Sequence, residues 1–391
     1  MKTFALSNPQ TEKIWSRDFL LVFFSNVAFS SALCLLIPTL PIYLLKGGST
    51  EIQIGVLIGS SGIASLIVRP FIGRALVRVS EKSFMTVGGL LFAIGSVSYI
   101  FASSFWLLLM VRVIQGVGSA LFYTAAVTRV AKTSPVTRLG QSLAYYYLAF
   151  NIAFAVIPFF GMFLINAYSF TVLFLVSTSL TLGYLCIVAR LGRRPVDPST
   201  QEDVKTGPLI SREALPTAVV AMICSMYWGA LTAFFPLYAL SHGVSNPGLF
   251  FSAFAVMIIS SRALGGRLLD LHSRDRVILP SLTILIVAMI ILVFSKTLPM
   301  FIVVGVVWGI GHAFVFPALA AWTLDRAGSP GPTMATFSAL DELGTGLGSV
   351  VAGVILRLSG YPAMFLCLAV LGILNIVYFY FFVRKKEKKG F

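Results

Sequence analysis

The sequence predicts an all-α integral membrane protein with twelve transmembrane helices in two similar halves. Three observations lead to this fold class: the composition, a series of long apolar segments, and an internal repeat. The chain of 391 residues is 58% hydrophobic and 11% charged, and its mean hydropathy is +0.92. Because soluble domains contain about a quarter charged residues, this composition excludes an ordinary water-soluble protein.

Apolar segments of about 20 residues match the ~30 Å hydrocarbon thickness that a helix must cross. Segments of this kind, bounded by charged residues or by Gly, Pro and Ser, recur along the whole chain. The first is too long for a cleaved signal peptide and continues without a small-residue cleavage site. The predicted spans are 19–45, 53–77, 84–102, 106–128, 140–164, 170–190, 215–240, 248–270, 278–295, 299–322, 334–356 and 362–383.

One connection between the predicted spans is long. Residues 191–214 are rich in charge, Pro, Ser and Thr, and they separate an N-terminal six-helix half (1–190) from a C-terminal half (215–391). With a cytoplasmic N-terminus, the basic residues concentrate in cytoplasmic segments, as the positive-inside rule requires; the exceptions are Lys46, Lys296, Arg357 and Arg112. We therefore expect a multi-pass protein of a prokaryotic inner membrane with both termini cytoplasmic.

The net charge of +15 follows from this topology, since the basic residues are scattered over separate segments. A nucleic-acid partner is therefore not expected. The stretch RKKEKK at 384–389 is typical of a stop-transfer flank, and contact with anionic lipid is the alternative. The cysteines lie in predicted spans at unrelated spacings, so neither a disulfide framework nor a metal site is expected; they are Cys34, Cys186, Cys224 and Cys367.

Three short sequences of the N-terminal half recur in the C-terminal half at nearly one offset. RPFIGR (69–74) corresponds to RALGGR (262–267), and QGVG (115–118) corresponds to WGIG (308–311), both 193 residues later. PIYL (41–44) corresponds to PLYA (236–239), 195 residues later. Parallel six-helix repeats are a transporter architecture in which the substrate site lies near the membrane midplane, between the halves.

These motifs resemble the major facilitator superfamily over essentially the whole chain. That family carries a Gly-x-x-x-Asp-Arg-x-Gly-Arg-Arg pattern after its second span, and here Val77 replaces the Asp of the first copy. The resemblance implies that this motif gates the cytoplasmic side and that its Asp helps to latch that side shut, so Asp270 of the second copy would carry that duty alone. The matching positions are Gly73, Arg74, Arg78, Gly266, Arg267 and Asp270.

Further motifs place the resemblance within a bacterial efflux-permease branch, often labelled sugar-efflux or multidrug permeases. RVIQGVGSA (112–120) is similar to the family pattern of span 4, and GIGHAFVFPAL (309–319) with FSALDELGTGLG (337–348) resembles that branch. The antiporter pattern of span 5 retains only Pro158 and Gly161. The resemblance implies the major facilitator fold and secondary active transport by alternating access.

Asp341 and Glu342 are adjacent carboxylates inside span 11. Asp341 lies ~10 Å into the hydrocarbon by helical rise, where a carboxylate that faces lipid costs about 2.5–3.5 kcal/mol. Both carboxylates lie on stripes of small residues, and Leu343, Leu347 and Val354 lie on the opposite side of the helix. Since burial raises the pKa of a carboxylate, alternating access allows such a group to carry a proton. We expect proton coupling or substrate contact, with a structural acid as the alternative.

Two further titratable or charged residues lie in spans. Arg112 needs a carbonyl or an acid as partner, and the resemblance implies that it faces span 1 at Asn26; a role at the proton site and a structural role both remain open. A histidine side chain ordinarily titrates near neutral pH, so His312 is a candidate titratable group, and a satisfied core residue is the alternative. The candidate cavity-lining side chains are Asn26, Gln115, Tyr146, Tyr227, Trp228 and Trp308.

The leading hypothesis is proton-coupled efflux of a small amphiphilic or zwitterionic organic molecule. An aromatic lining with an acid pair and one Arg suits such a substrate. The alternatives are an uptake symporter or facilitator, and an intramembrane enzyme that uses His312 with an acid; the duplicated halves argue against the enzyme. The expected partners are the substrate, protons and the lipid bilayer, the expected state is a monomer, and no cofactor is expected.

Overall fold

The computed structural model of the protein describes residues 15–76, 78–135, 138–192, 211–265, 272–326 and 330–384. These residues form long α-helices joined by short loops, and the predicted fold class is confirmed. The first ten helices are α1 (Arg17–Lys46), α2 (Glu51–Ala75), α3 (Glu81–Ser98), α4 (Phe105–Thr133), α5 (Leu139–Ala167), α6 (Phe170–Ala189), α7 (Leu215–Ser241), α8 (Gly248–Gly265), α9 (Arg274–Phe294) and α10 (Leu298–Arg326).

The last helical segment, Pro330–Tyr378, contains two spans. Gly360 breaks it with φ 78° and ψ 176°, a conformation that other residues rarely adopt. We call residues 330–359 α11 and residues 361–378 α12; a π-helix, Phe379–Arg384, continues α12. The predicted boundary between spans 11 and 12 therefore falls where the backbone turns.

Ten segments of the described chain are long and apolar enough to cross a membrane, and the last of them, Thr333–Arg384, holds both α11 and α12. α3 completes the predicted twelve; it is 18 residues long and begins with the charged pair Glu81 and Lys82. Several helices begin at a Ser or Thr whose hydroxyl accepts a hydrogen bond from the backbone N–H three residues later, which is a strong signal for the start of a helix. These residues are Ser16, Thr50, Ser80, Ser104 and Ser169.

The helices pack within each half and across the boundary between the halves. α1 packs on α5 and α6 and α3 packs on α4, while α7 packs on α11 and α8 packs on α10. Between the halves, α2 packs on α11 and α5 packs on α8. α11 therefore contacts both halves, and it is the helix that carries Asp341 and Glu342.

Close helix contact at α11 depends on small residues. A side chain at Gly59 of α2 would meet the Ser349 hydroxyl and the Gly346 carbonyl of α11. On the other side of α11, a side chain at Gly348 would meet the backbone of Met226 on α7. α11 is thus held between α2 and α7 at backbone distance.

The two ends of the bundle differ in how the halves meet. We call the end where α6 finishes and α7 begins the linker end, and the end with the α1–α2 loop the far end. At the far end, Asn166 donates a hydrogen bond to the Ser245 carbonyl across the halves at 2.9 Å. Toward the linker end, Tyr147 of α5 is 50% exposed. Among the described residues, hydrogen bonds and ion pairs between the halves lie from the middle of the bundle to the far end.

Candidate functional site

The carboxylate of Asp341 points toward α7. Ser225 of α7 donates a hydrogen bond to Asp341 Oδ1, and Asp341 is half-buried. On the opposite side of α11, Leu347 and Val354 are each 38% exposed, which places them toward lipid. Asp341 therefore lies on the protein-facing side of the helix, where a neutral hydroxyl partners it.

The carboxylate of Glu342 crosses to the other half of the protein. Its Oε1 lies 2.5 Å from the Nη2 of Arg69 on α2. Both side chains are partly accessible, with 33% of Arg69 and 22% of Glu342 exposed, and Arg69 Nε also donates to the Ser65 hydroxyl at 3.2 Å. This is an ion pair between the two halves, about midway along the bundle.

Arg69 is a candidate functional residue that the sequence motifs did not single out. It was visible in the sequence only as the first residue of RPFIGR, which recurs as Arg262 in RALGGR. Because Arg69 lies near the end of a predicted span, it is easily taken for a flanking basic residue. Its partner lies in the other half, and an inter-half contact leaves no local sequence pattern.

Arg112 faces α2, so the expectation that it faces span 1 at Asn26 is wrong. Its Nε donates to the Leu57 carbonyl at 2.9 Å, and its Nη2 donates to the Ile58 carbonyl at 2.9 Å and to the Ser61 hydroxyl at 2.6 Å. The guanidinium binds these acceptors because α2 and α4 approach closely. Arg112 is 7% exposed, and its partners are the backbone and hydroxyl oxygens of α2 and the amide oxygen of Gln115, at 3.4 Å from Nη1.

Most of the predicted cavity-lining side chains are buried between helices, which corrects that expectation for this conformation. Gln115 accepts a hydrogen bond from the Tyr99 hydroxyl at 2.8 Å. The Asn26 side chain donates a hydrogen bond to the Tyr146 backbone carbonyl at 2.9 Å, so Asn26 and Tyr146 join α1 to α5 within the N-terminal half. The buried residues of the set are Asn26, Gln115, Tyr146, Tyr227 and Trp308.

Trp228 is the member of that set that is half-buried, and it lies where the halves meet. Its ring centroid is 5.3 Å from that of Phe154 on α5, and 5.8 Å from that of Trp308 on α10. His312 is also half-buried, with its ring 6.3 Å from the Trp228 ring. Trp228 therefore joins an aromatic cluster of the C-terminal half to the N-terminal half.

The gating motif is described in one of its two copies. Gly73, Arg74 and Arg78 are exposed at the linker end of α2. Val77 of that copy, and Gly266, Arg267 and Asp270 of the second copy, lie outside the described residues, as do residues 193–210 of the linker. The gating role that the resemblance implies for this motif remains a prediction.

A second charged cluster, which the motif analysis did not identify, lies at the linker end of the N-terminal half. The fully buried Arg129 of α4 donates to Asp18 at 2.7 Å and to the Gly192 carbonyl at 3.0 Å. Lys132 pairs with the buried Glu81 at 2.7 Å. This cluster ties α1, α3 and α4 to the segment that follows α6, and it lies away from the boundary between the halves.

Comparison with known proteins agrees with this architecture. The chain is 23% identical over 381 residues to the staphylopine export protein of Staphylococcus aureus, with 92% of this chain and 94% of the relative covered. It is 26% identical over 364 residues to an uncharacterised MFS-type transporter of Burkholderia mallei, with 88% of each covered.

Solved structures with the same fold include transporters of different substrates. A D-xylose–proton symporter superposes with a TM-score of 0.76 at 14% identity, covering 93% of this chain and 97% of that one. The nucleoside transporter NupG superposes with a TM-score of 0.74 at 15% identity, covering 94% of this chain and 100% of that one. The profile of the Major Facilitator Superfamily matches residues 19–327 and 217–391. With its helical bundle, its repeat and this match, the chain belongs to the major facilitator superfamily of membrane transporters.

Proposed function

We propose that the protein exports a small amphiphilic or zwitterionic organic molecule in exchange for protons. The observation that carries this proposal is the 2.5 Å ion pair between Glu342 of α11 and Arg69 of α2. It joins the two halves through a carboxylate that lies within the membrane-spanning part of the chain. A charged side chain within a membrane-spanning helix is costly unless it is paired, so it is usually functional.

The chemistry of Glu342 suits exchange. A proton on its carboxylate removes the charge that attracts Arg69, and a cationic group of a substrate displaces Arg69 by taking its place. Because proton and substrate cation compete for one carboxylate, the site holds one or the other. Alternating access then converts this competition into antiport, since each ligand is released on the side where the other binds.

Asp341 adds a second carboxylate one residue away. The Ser225 hydroxyl donates to Asp341 in this structure, and a hydroxyl also accepts a hydrogen bond from a protonated carboxyl. Ser225 therefore satisfies Asp341 in both protonation states. This property is expected of a group that gains and loses a proton during each cycle.

Export is the direction favoured by the relative that is named for the export of staphylopine. The same carboxylates would also serve an uptake symporter, in which proton and substrate bind together. Direction is therefore tested separately from coupling, by the sign of the pH gradient that drives accumulation.

The test uses the full chain in inside-out membrane vesicles and a panel of labelled aromatic zwitterions, with tryptophan as the first probe. We expect accumulation only when the vesicle interior is acidic. Asp341→Asn and Glu342→Gln should lose gradient-driven accumulation. Asp341→Asn should still exchange labelled probe outside the vesicle for unlabelled probe inside it. Asp325→Asn is the matched control, because Asp325 is exposed and pairs with Arg274 on its own half.

Other outcomes would overturn the proposal. Accumulation that needs an acidic exterior would identify a symporter, and equilibration of the probe without accumulation under any pH gradient would identify a facilitator. Unchanged coupling in both carboxylate variants would remove Asp341 and Glu342 from the mechanism.

A further inference from the structure

Arg262 occupies, in the C-terminal half, the position that Arg69 occupies in the N-terminal half. Arg69 begins RPFIGR near the linker end of α2, and Arg262 begins RALGGR near the linker end of α8, 193 residues later. The repeat therefore places two guanidinium groups at equivalent sites on either side of the boundary between the halves.

The two arginines differ in how their charge is neutralised. Arg69 pairs with Glu342, whereas Arg262 Nε donates to the Ala313 carbonyl of α10 at 3.2 Å. Within the described part of the chain, no carboxylate lies within 4.0 Å of the Arg262 guanidinium. The guanidinium of this exposed residue thus has no acidic partner among the described residues.

Arg262 lies on the face of α8 that is directed toward the boundary between the halves. Ile258 and Phe254 precede it at helical spacing, and both are buried. The Phe254 ring lies 6.0 Å from that of Phe154 on α5 of the other half. Arg262 itself is exposed, and its guanidinium reaches α10 at the Ala313 carbonyl.

His312 supplies a second unsatisfied polar group beside Arg262. It directly precedes Ala313, the residue whose carbonyl accepts the Arg262 hydrogen bond. Its Nδ1 is buried and has no hydrogen-bond partner among the described residues. The centroid of its ring lies 4.7 Å from that of Phe316 and 5.2 Å from that of Phe254, so the aromatic neighbours fix the orientation of the imidazole.

We infer that Arg262 and His312 form an oxyanion subsite that binds the carboxylate of the transported molecule. A guanidinium presents paired N–H groups that match a carboxylate, and a neutral imidazole protonated at Nδ1 donates one more hydrogen bond. A bound carboxylate supplies the charge that Arg262 lacks and the partner that His312 Nδ1 lacks.

This inference rests on the proposed function and specifies its substrate class. Ser225, which binds Asp341, lies one helical turn from Trp228, and the Trp228 ring contacts His312. The anion-binding subsite of Arg262 and His312 and the carboxylates of α11 therefore lie on either side of Trp228. A molecule with a carboxylate at one end, a cationic group at the other and an apolar middle fits this order.

The test measures binding, independently of transport, on the purified full chain. The probes are indole-3-propionate, which is anionic, and its uncharged amide, titrated by thermal stabilisation. We expect saturable stabilisation by the acid and none by the amide. Arg262→Gln should raise the Kd of the acid about 10- to 100-fold, the effect of losing a charge-assisted hydrogen bond, and His312→Gln should raise it less.

Controls separate this subsite from general charge effects. Arg190→Gln removes one exposed positive charge at the linker end and should leave the Kd unchanged. Arg262→Lys keeps the charge and should retain binding within about tenfold, which covers the case in which Arg262→Gln does not fold. Equal Kd values for the wild type and Arg262→Gln, or no difference between acid and amide, would overturn the subsite.

The subsite and the proposed coupling fail in different ways. If Asp341→Asn abolishes proton-driven transport while Arg262→Gln leaves the Kd of indole-3-propionate unchanged, the proposed function is supported and the subsite is disproved. If Arg262→Gln weakens binding of indole-3-propionate while transport is the same with and without a pH gradient, the subsite is supported and the proton coupling is disproved.

Discussion

Arg112 shows how a charge inside a membrane helix is used for structure. Its donors reach the Leu57 and Ile58 carbonyls and the Ser61 hydroxyl, all on α2. No described carboxylate pairs with Arg112. Of the two roles left open by the sequence, this geometry favours a tie between α4 and α2 over a role at the proton site.

Replacing Arg112 tests that role. Arg112→Lys keeps the charge but loses the planar fork, so we expect a lower melting temperature with an unchanged pH profile of transport. Arg112→Ala should be less stable still, by roughly 1.5–3 kcal/mol or more, since hydrogen bonds from a charged group are lost. Arg190→Ala is the exposed control. A normal melting temperature together with a shifted pH optimum of transport would instead support a role for Arg112 at the proton site.

At the residue scale, the sequence identified the acids of the site better than their partners. The stripes of small residues on α11 predicted that Asp341 and Glu342 avoid lipid, because helical periodicity is a local property. Ser225 and Arg69 could not be predicted in the same way, since a side-chain contact between distant helices depends on tertiary packing. The buried aromatic residues were misjudged for the same reason, because apolar side chains in a span fit packing and a cavity equally well.

At the scale of elements, α11 is the helix on which function and packing meet. It approaches α7 at Gly348, whose added side chain would meet Met226, and it approaches α2 of the other half at Gly59. The first contact lies within the C-terminal half and the second crosses the boundary. Substitutions at the two glycines should therefore have different consequences.

Alanine substitutions separate these two contacts. Gly348→Ala should lower the melting temperature, because the new methyl group meets α7 backbone that cannot easily move. Gly59→Ala should mainly oppose the packing of α2 on α11 between the halves, with a smaller loss of stability. Gly183→Ala on α6 meets nothing within 4 Å and should be neutral or stabilising by up to ~1 kcal/mol. Equal melting temperatures for all three variants would contradict this difference.

At the scale of the whole molecule, the ion pairs and hydrogen bonds between the halves that involve described residues lie from the middle of the bundle to the far end. Glu342 pairs with Arg69 in the middle of the bundle. At the far end, Glu51 Oε2 lies 3.5 Å from Arg357 Nη1. The repeat and the hydropathy predicted the two halves and their twelve spans. They could not predict which end is joined, because every state of alternating access has the same helices.

Neutralising Glu342 should weaken the contact between the halves. Spin labels at Ile52 and Leu358 report on the far end, since both residues are exposed and lie on opposite halves. The exposed Cys186 and Cys367 must first be replaced, whereas Cys34 and Cys224 are buried. In Glu342→Gln we expect the distribution of distances between the labels to shift toward longer values, because Arg69 loses its ionic partner.

The pair itself is tested by combining substitutions. Arg69→Gln together with Glu342→Gln should shift the distances no further than either change alone, since both remove the same interaction and effects within one pair are not additive. Asp325→Asn removes a carboxylate that pairs within the C-terminal half, and it should leave the distances unchanged. If the double variant shows the sum of two independent shifts, Arg69 and Glu342 act separately, and competition between a proton and a substrate cation for one pair cannot drive the exchange.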